Sequence, residues 1–368
     1  MPYRTVLIEN NRLLLDRLSG VIRNTPGFEL SARYVTAGDA LGQMQAFRPH
    51  LILLDADWEA NVNLLNDLKK NYPSAIIICL SRSWNSDAQA YLMRNGAAGY
   101  MIKPFTSEEL QGAVNNATRS SRMSGSRVIS FFSPKGKSGK STLISNLAEA
   151  LAKETGEPVA IIDCDLQFGD MAVFFNMAPQ ISIMEAVRDI KFLSPVTLKS
   201  YFLNARENVQ LLCGVPRPDL AEAVTVEGLT ELIRMAKTVY SYVLIDLPSG
   251  FSEISATACE LSDKTILMAM VNGGYEVTHM KRALEIFKAW DDYKSRVHPL
   301  FTRVVPCTEE EQLKLSKALD YPVSAIIPNE YVLVSEAADN GRLVVEQNPD
   351  SAFSKAVFKL AKAIAGDA

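Results

Sequence analysis

The chain has 368 residues, 48% of them apolar, and a formal net charge of −4. It is too long for one small domain, apolar enough for sizeable cores and too weakly charged to stay disordered, so two folded domains are the natural division. The slight acidity excludes a global attraction to DNA or to an anionic membrane surface, and leaves room only for a local basic patch such as Lys281-Arg282.

The chain moves from Met1 directly into the apolar run Val6-Leu7-Ile8, with no long leader-type apolar region. Further apolar runs at 51–54, 75–80 and 100–102 alternate with helix-patterned segments such as 13–22. That alternation predicts a parallel sheet covered by helices. The predicted strand ends carry Glu9-Asn10, Asp55, Ser81 and Lys103-Pro104, and Asp55 is followed by Ala56-Asp57-Trp58-Glu59-Ala60-Asn61.

Apolar periodicity then lapses in Arg119-Ser120-Ser121-Arg122-Met123-Ser124-Gly125-Ser126-Arg127, which is linker composition. The expected division is a first domain over 1–119, a Ser/Arg linker over 120–127 and a second domain over 128–368.

Next comes Lys135-Gly136-Lys137-Ser138-Gly139-Lys140-Ser141-Thr142, between an apolar run ending at Phe132 and a helical pattern starting at Leu143. Gly136 and Gly139 let the backbone close around an anion with successive N–H groups aimed at phosphate oxygens. Lys140 adds a positive charge, the helix N-terminus favours the same anion, and Ser141 offers a hydroxyl to magnesium. The usual phosphate loop has glycine where this chain has Pro134, and the early Lys135 marks a variant pattern.

The run at 159–162 delivers Asp163, Asp165 and, a turn later, Asp170 at its carboxyl end, where parallel strands place their ligands. Tyr242-Val243-Leu244-Ile245-Asp246 is a second apolar strand ending in a carboxylate, turned by Pro248-Ser249-Gly250. Strands at 265–270 and 299–305 extend the sheet, and Ala325-Ile326-Ile327-Pro328-Asn329 leads into a loop and helix. The region 171–239 holds a strand at 209–212 and no separate chemical signal. A closing helix over 353–364 puts Phe353, Val357, Leu360 and Ile364 on one side, with Lys355, Lys359 and Lys362 elsewhere. It reads as the last core helix, with peripheral membrane attachment as the alternative.

The cysteines Cys79, Cys164, Cys213, Cys259 and Cys307 are odd in number and form no C-x-x-C pair, so they read as reduced. His50, His279 and His298 are scattered, and no structural metal is expected. No apolar segment reaches the length of a membrane span. A cytoplasmic location is expected.

The set Asp55, Ser81 and Lys103 resembles the phosphoacceptor aspartate, hydroxyl switch and lysine of response-regulator receiver domains, which implies a flavodoxin-like parallel sheet. That family holds magnesium with an acidic pair where this chain has Glu9 and Asn10. The expectation is therefore a degenerate receiver used for docking, with Asp57 as the carboxylate that compensates if Asp55 is phosphorylated.

The loop from Lys135 to Thr142 resembles the deviant phosphate loop of the MinD/ParA ATPases, which carry a glycine where Lys137 stands here. The resemblance implies a doubly wound α/β domain that binds ATP and Mg2+ and forms a homodimer around the nucleotide. Gly136, Lys137, Ser138, Gly139, Lys140, Ser141 and Thr142 then cradle phosphate, and Lys135 reaches the partner's nucleotide. Ser141, Asp163 and Asp246 lie at magnesium, Asp165 orients the attacking water, and hydrolysis is weak. Thr302 falls where relatives often place an adenine-reading asparagine.

A receiver-like domain fused to such an ATPase, together with Ser335-Glu336-Ala337-Ala338-Asp339-Asn340-Gly341-Arg342, resembles the CpaE/TadZ proteins of tight-adherence (Flp-type) pilus machines. That resemblance implies a cytoplasmic ATPase that marks the pole or the inner-membrane assembly site and recruits pilus components, with DNA not expected as a partner. A ParA-like DNA-partitioning ATPase and a non-enzymatic, receiver-controlled scaffold are the alternatives.

Overall fold

A computed structural model describes residues 2–44, 47–120, 125–272 and 274–366. The chain forms two compact units, Met1–Ser124 with Asp189–Ser200, and Gly125–Arg188 with Tyr201–Ala368. Linker residues 121–124 lie outside the described residues.

The sheet of the first unit contains β1 (Tyr3–Ile8), β2 (Phe28–Tyr34), β3 (Leu51–Asp55), β4 (Ile76–Ser81) and β5 (Gly99–Ile102), in the order β2-β1-β3-β4-β5 and wholly parallel. Strand β3 is buried at every position, as its unbroken apolar run demands. Helix Arg12–Asn24 starts at Asn11, whose side chain accepts from the N–H groups of Leu13 and Leu14. It lays Leu15, Leu18 and Ile22 against Leu7, Leu53 and Leu80. The topology brings the carboxyl ends of β1, β3 and β5, with Glu9, Asp55 and Lys103, to one edge of the sheet. Segment Asp189–Ser200 belongs to this unit and packs on helix Ser107–Ser120.

The second unit contains β6 (Arg127–Ser133), β7 (Val159–Asp163), β8 (Leu203–Arg206), β9 (Val209–Leu212), β10 (Tyr242–Ser249), β11 (Lys264–Met270), β12 (Val297–Val304) and β13 (Ala325–Pro328). Their order is β13-β12-β11-β6-β10-β7-β9-β8, parallel except for the β8/β9 pair. The reversal of strand order around β6 makes a crevice at its carboxyl end.

Helix Lys140–Thr155 begins three residues earlier than the apolar pattern predicts, because the polar Lys140-Ser141-Thr142 form its first turn behind a left-handed Gly139. Leu143, Leu147 and Leu151 enter the core. Helix Ala352–Gly366 packs on this helix and buries Phe353, Val357, Leu360 and Ile364, leaving Lys355, Lys359 and Lys362 exposed. Its apolar stripe is therefore spent on the core and is not presented to a membrane surface.

Candidate nucleotide-binding site

Strand β6 ends at Ser133, and the chain turns through residues 134–139 into helix Lys140–Thr155. Gly139 adopts φ +82° and Lys137 φ +66°. The left-handed backbone costs a side-chain-bearing residue about 1 kcal/mol, which is why a glycine suits the place held by Lys137. Ser133 Oγ donates to Lys135 O at 2.6 Å, and Thr302 Oγ1 on β12 donates to Ser138 O at 2.8 Å, so the loop is held from both flanks. Lys135, Gly136 and Lys137 are exposed, whereas Lys140 is buried with Nζ 3.5 Å from Ser249 Oγ.

Ser141 Oγ donates to Asp246 Oδ2 at 2.5 Å. Asp246 Oδ1 and Ser138 Oγ are buried without a hydrogen-bond partner among the described residues. A buried carboxylate oxygen left in that condition is costly unless a ligand satisfies it.

Strands β7 and β10 place Asp163 and Asp246 at paired register positions. Burial and the neighbouring Asp246 charge push the Asp163 carboxyl well above its usual range. Burial pushes Asp246 up to about 6 against the opposing pull of Lys140 and Ser141.

Both Asp163 oxygens are engaged by the main chain, Oδ1 by the Asp165 N–H at 3.1 Å and Oδ2 by the Met171 N–H at 3.3 Å. Asp165 Oδ1 accepts from the Phe168 N–H at 3.3 Å, and Asp170 is exposed. Sequence reasoning missed Gly169. A Cβ there would lie 2.5 Å from Asp163 Oδ2 and 2.6 Å from Asp165 O, so only glycine lets the loop fold over this carboxylate.

A pocket of about 180 Å³ opens beside the loop between Gly139 and Thr142 on one wall and Arg303, Asn329 and Tyr331 on the other. Thr302 also lines it with its hydroxyl donating to Ser138 O, and Arg303, Asn329, Glu330 and Ser335 are among the polar residues of the wall. Arg303 adopts φ +56° and lays its guanidinium 5.2 Å from the Tyr331 ring centroid.

In the first unit, Lys103 Nζ lies 2.5 Å from Asp55 Oδ1, 2.9 Å from Glu9 Oε2 and 3.3 Å from Asp57 Oδ2. Burial pulls the Lys103 pKa down, but the hydrogen bonds to Asp55 and Glu9 outweigh it and leave it raised. Asp55 is buried and also accepts the Asn10 N–H at 3.3 Å. Ser81 does not meet Asp55; its hydroxyl donates to Asp57 Oδ1 at 2.6 Å.

A parallel sheet with a glycine-bearing loop between strand and helix, a buried lysine at the helix start and carboxylates at the neighbouring strand ends defines a P-loop nucleotide-binding domain. Residues 129–344 match the CobQ/CobB/MinD/ParA nucleotide binding domain, and the chain belongs to that family. It is 24% identical over 240 residues to an uncharacterized ATP-binding protein of Methanocaldococcus jannaschii, covering 65% of this chain and 87% of that one. The fold is shared with the septum site-determining protein MinD of Pyrococcus horikoshii, solved with Mg-ADP, at a TM-score of 0.56 and 24% identity over 65% of this chain and 96% of that one. The chain is also 24% identical over 111 residues, 30% of its length, to the transcriptional regulatory protein DegU of Brevibacillus brevis, of which the match covers 47%.

Proposed function

We propose that this protein is an ATP-dependent, dimerising, slow ATPase that positions and helps assemble a pilus machine of the tight-adherence type, working in the cytoplasm at the pole or beside the inner membrane. The observation that carries the nucleotide reading is the Ser141–Asp246 pair beside an orphaned, buried Asp246 oxygen at the foot of the phosphate loop. A hard cation prefers such hydroxyl and carboxylate oxygens, so the residues present fit Mg2+. Bound there, Mg2+ would offset phosphate charge. The MinD of Pyrococcus horikoshii, which shares the fold, was solved with Mg-ADP.

In this reading Lys140 and the N–H groups of 136–142 hold the phosphates. Ser141 and Asp246 hold the metal, while Asp163, whose oxygens are taken by the main chain, shapes the loop that presents Asp165 toward water. Lys135 is exposed and, among the described residues, has no ion-pair partner, so it is free to reach a second copy's nucleotide. The pilus assignment rests on the resemblance of the two-unit arrangement to CpaE/TadZ proteins. Among the described residues no helix is long and apolar enough to cross a membrane.

The first unit is read as a receiver-like docking module, in keeping with the chain's likeness to DegU over 111 residues and with the sealing of Asp55 against Lys103. Light scattering after gel filtration with magnesium and ATP or ADP tests the central claim on the unaltered chain, Lys140→Ala and Lys135→Ala. The expected result is an ATP-dependent dimer lost in both variants; a mass indifferent to nucleotide refutes it.

A further inference from the structure

Asp57 lies two residues past β3, and its side chain keeps 28% of its exposure, yet it does not face only water. Its Oδ1 accepts from Ser81 Oγ at 2.6 Å and from the Arg82 N–H at 3.3 Å. Its Oδ2 lies 3.3 Å from Lys103 Nζ and 3.6 Å from Arg82 Nε. A hydroxyl, a backbone N–H, an ammonium and a guanidinium converging on one carboxylate make the donor set of an oxyanion site.

We propose that Ser81, Arg82 and Lys103 form an oxyanion seat that Asp57 fills in cis, and that this built-in anion fixes the loop after β4 in the position that docks segment Asp189–Ser200. The inference deepens the docking-module reading of the first unit and rests on it.

The coupling runs through the four residues 81–84. Ser81 closes β4 and is pinned to Asp57; Ser83 O accepts from the Tyr100 hydroxyl at 2.9 Å. Trp84, only 4% exposed, sets its ring edge-on to Tyr100 with centroids 5.5 Å apart. The Trp84 backbone N–H then donates to Lys191 O at 2.9 Å. Close packing at the far end adds to this contact, since a Cβ on Gly112 would lie 2.7 Å from Val196 Cγ2.

Without Asp57, Lys103 keeps Glu9 and Asp55, but the Ser81 hydroxyl and the Arg82 N–H lose their acceptor, and the start of the loop is released. A phosphate-class oxyanion, with several acceptor oxygens on one centre, matches the donors left behind.

Hydrogen–deuterium exchange with mass spectrometry on the full chain tests this, comparing the unaltered protein, Asp57→Ala and Asp57→Asn, each with and without millimolar inorganic phosphate. In Asp57→Ala, peptides covering 81–85 and 189–200 are expected to exchange faster by about tenfold, with phosphate restoring protection. The unaltered protein is expected to ignore phosphate in those peptides, and Asp57→Asn, which removes the charge and one of the two acceptor oxygens but keeps the other, to fall between. Unchanged exchange in both variants, or equal phosphate protection with Asp57 in place, overturns the seat. A parallel Phos-tag gel after acetyl phosphate separates the two readings. A shift that depends on Asp55 overturns the docking module, whereas the exchange data judge the seat.

Discussion

Asp246→Asn should stabilise the nucleotide-free protein while impairing its magnesium site. Burial raises the Asp246 carboxyl from an ordinary 3.8 to about 6, so its ionised form is disfavoured in the folded state. The sign follows from linkage: stability from a raised carboxyl is fully present below its unfolded pKa and is lost as pH rises through the folded one. A rise from 3.8 to about 6 costs about 3 kcal/mol at pH 8, and about half of that at pH 5. The group is fully buried, so solvent screening removes little of it. Asparagine keeps the shape and an oxygen for the Ser141 hydroxyl, and about 1 kcal/mol is subtracted for altered hydrogen bonding. The remaining ~2 kcal/mol corresponds to roughly 4–8 °C in the transition of a unit this size. Removing the charge also relieves Asp163, whose raised carboxyl works in the same direction. Calorimetric unfolding at pH 8 and pH 5, without nucleotide or magnesium, is the assay. No gain at pH 8, or an equal gain at pH 5, refutes the reasoning, and retention of magnesium-dependent nucleotide binding by the variant refutes the assignment of the metal to Asp246.

Two further predictions concern the loops around this carboxylate. At Lys137, with φ +66°, Lys137→Gly should be at least as stable as Lys137→Ala in urea unfolding, the reverse of the order at an ordinary loop position; a more stable alanine variant removes the strain argument. Gly169→Ala forces a Cβ to within 2.6 Å of backbone Asp165 O, and should cost about 1–3 kcal/mol and lower ATP turnover. Gly20→Ala, with nothing within 4 Å of the new Cβ and a helical position in Arg12–Asn24, should instead stabilise by roughly 0.5–1 kcal/mol, and equal effects at the two glycines would discount the steric reading.

The parts of the fold and site that the sequence reveals are those written in contiguous residues. Buried parallel strands such as β3 and β10 are solid apolar runs, and the phosphate loop uses its own backbone, so both are visible locally. The edge strands β2 and β8 are not, unlike the apolar edges β5 and β13. Strand β2, Phe-Glu-Leu-Ser-Ala-Arg-Tyr, buries no residue fully and carries only a period-2 alternation that the search for solid apolar runs passes over, and β8 is a four-residue antiparallel partner of β9. The features lost to sequence reading join distant positions: Thr302 spends its hydroxyl on Ser138, 164 residues away, and Ser81 turns to Asp57 instead of Asp55. Gly169 carries no motif either; its necessity comes from the carboxylate that the loop folds over.

The two units present anion-binding chemistry in opposite states of completion, and this explains how they can do different work. In the second, exposed Lys135 and Lys137 flank a loop whose neighbouring Asp246 oxygen is buried without a partner, so part of the local electrostatics is satisfied only when an external ligand arrives. Binding energy is then available to drive a change such as association with a second copy. In the first, Lys103 is neutralised by carboxylates from three points of the chain, and the Ser81 hydroxyl already has an anionic acceptor. A ligand entering there must first displace Asp57 and forfeit the contacts it makes, so its differential affinity is small and little population shift follows. On the function proposed above, the nucleotide unit would carry the switch and the first unit would supply a fixed surface.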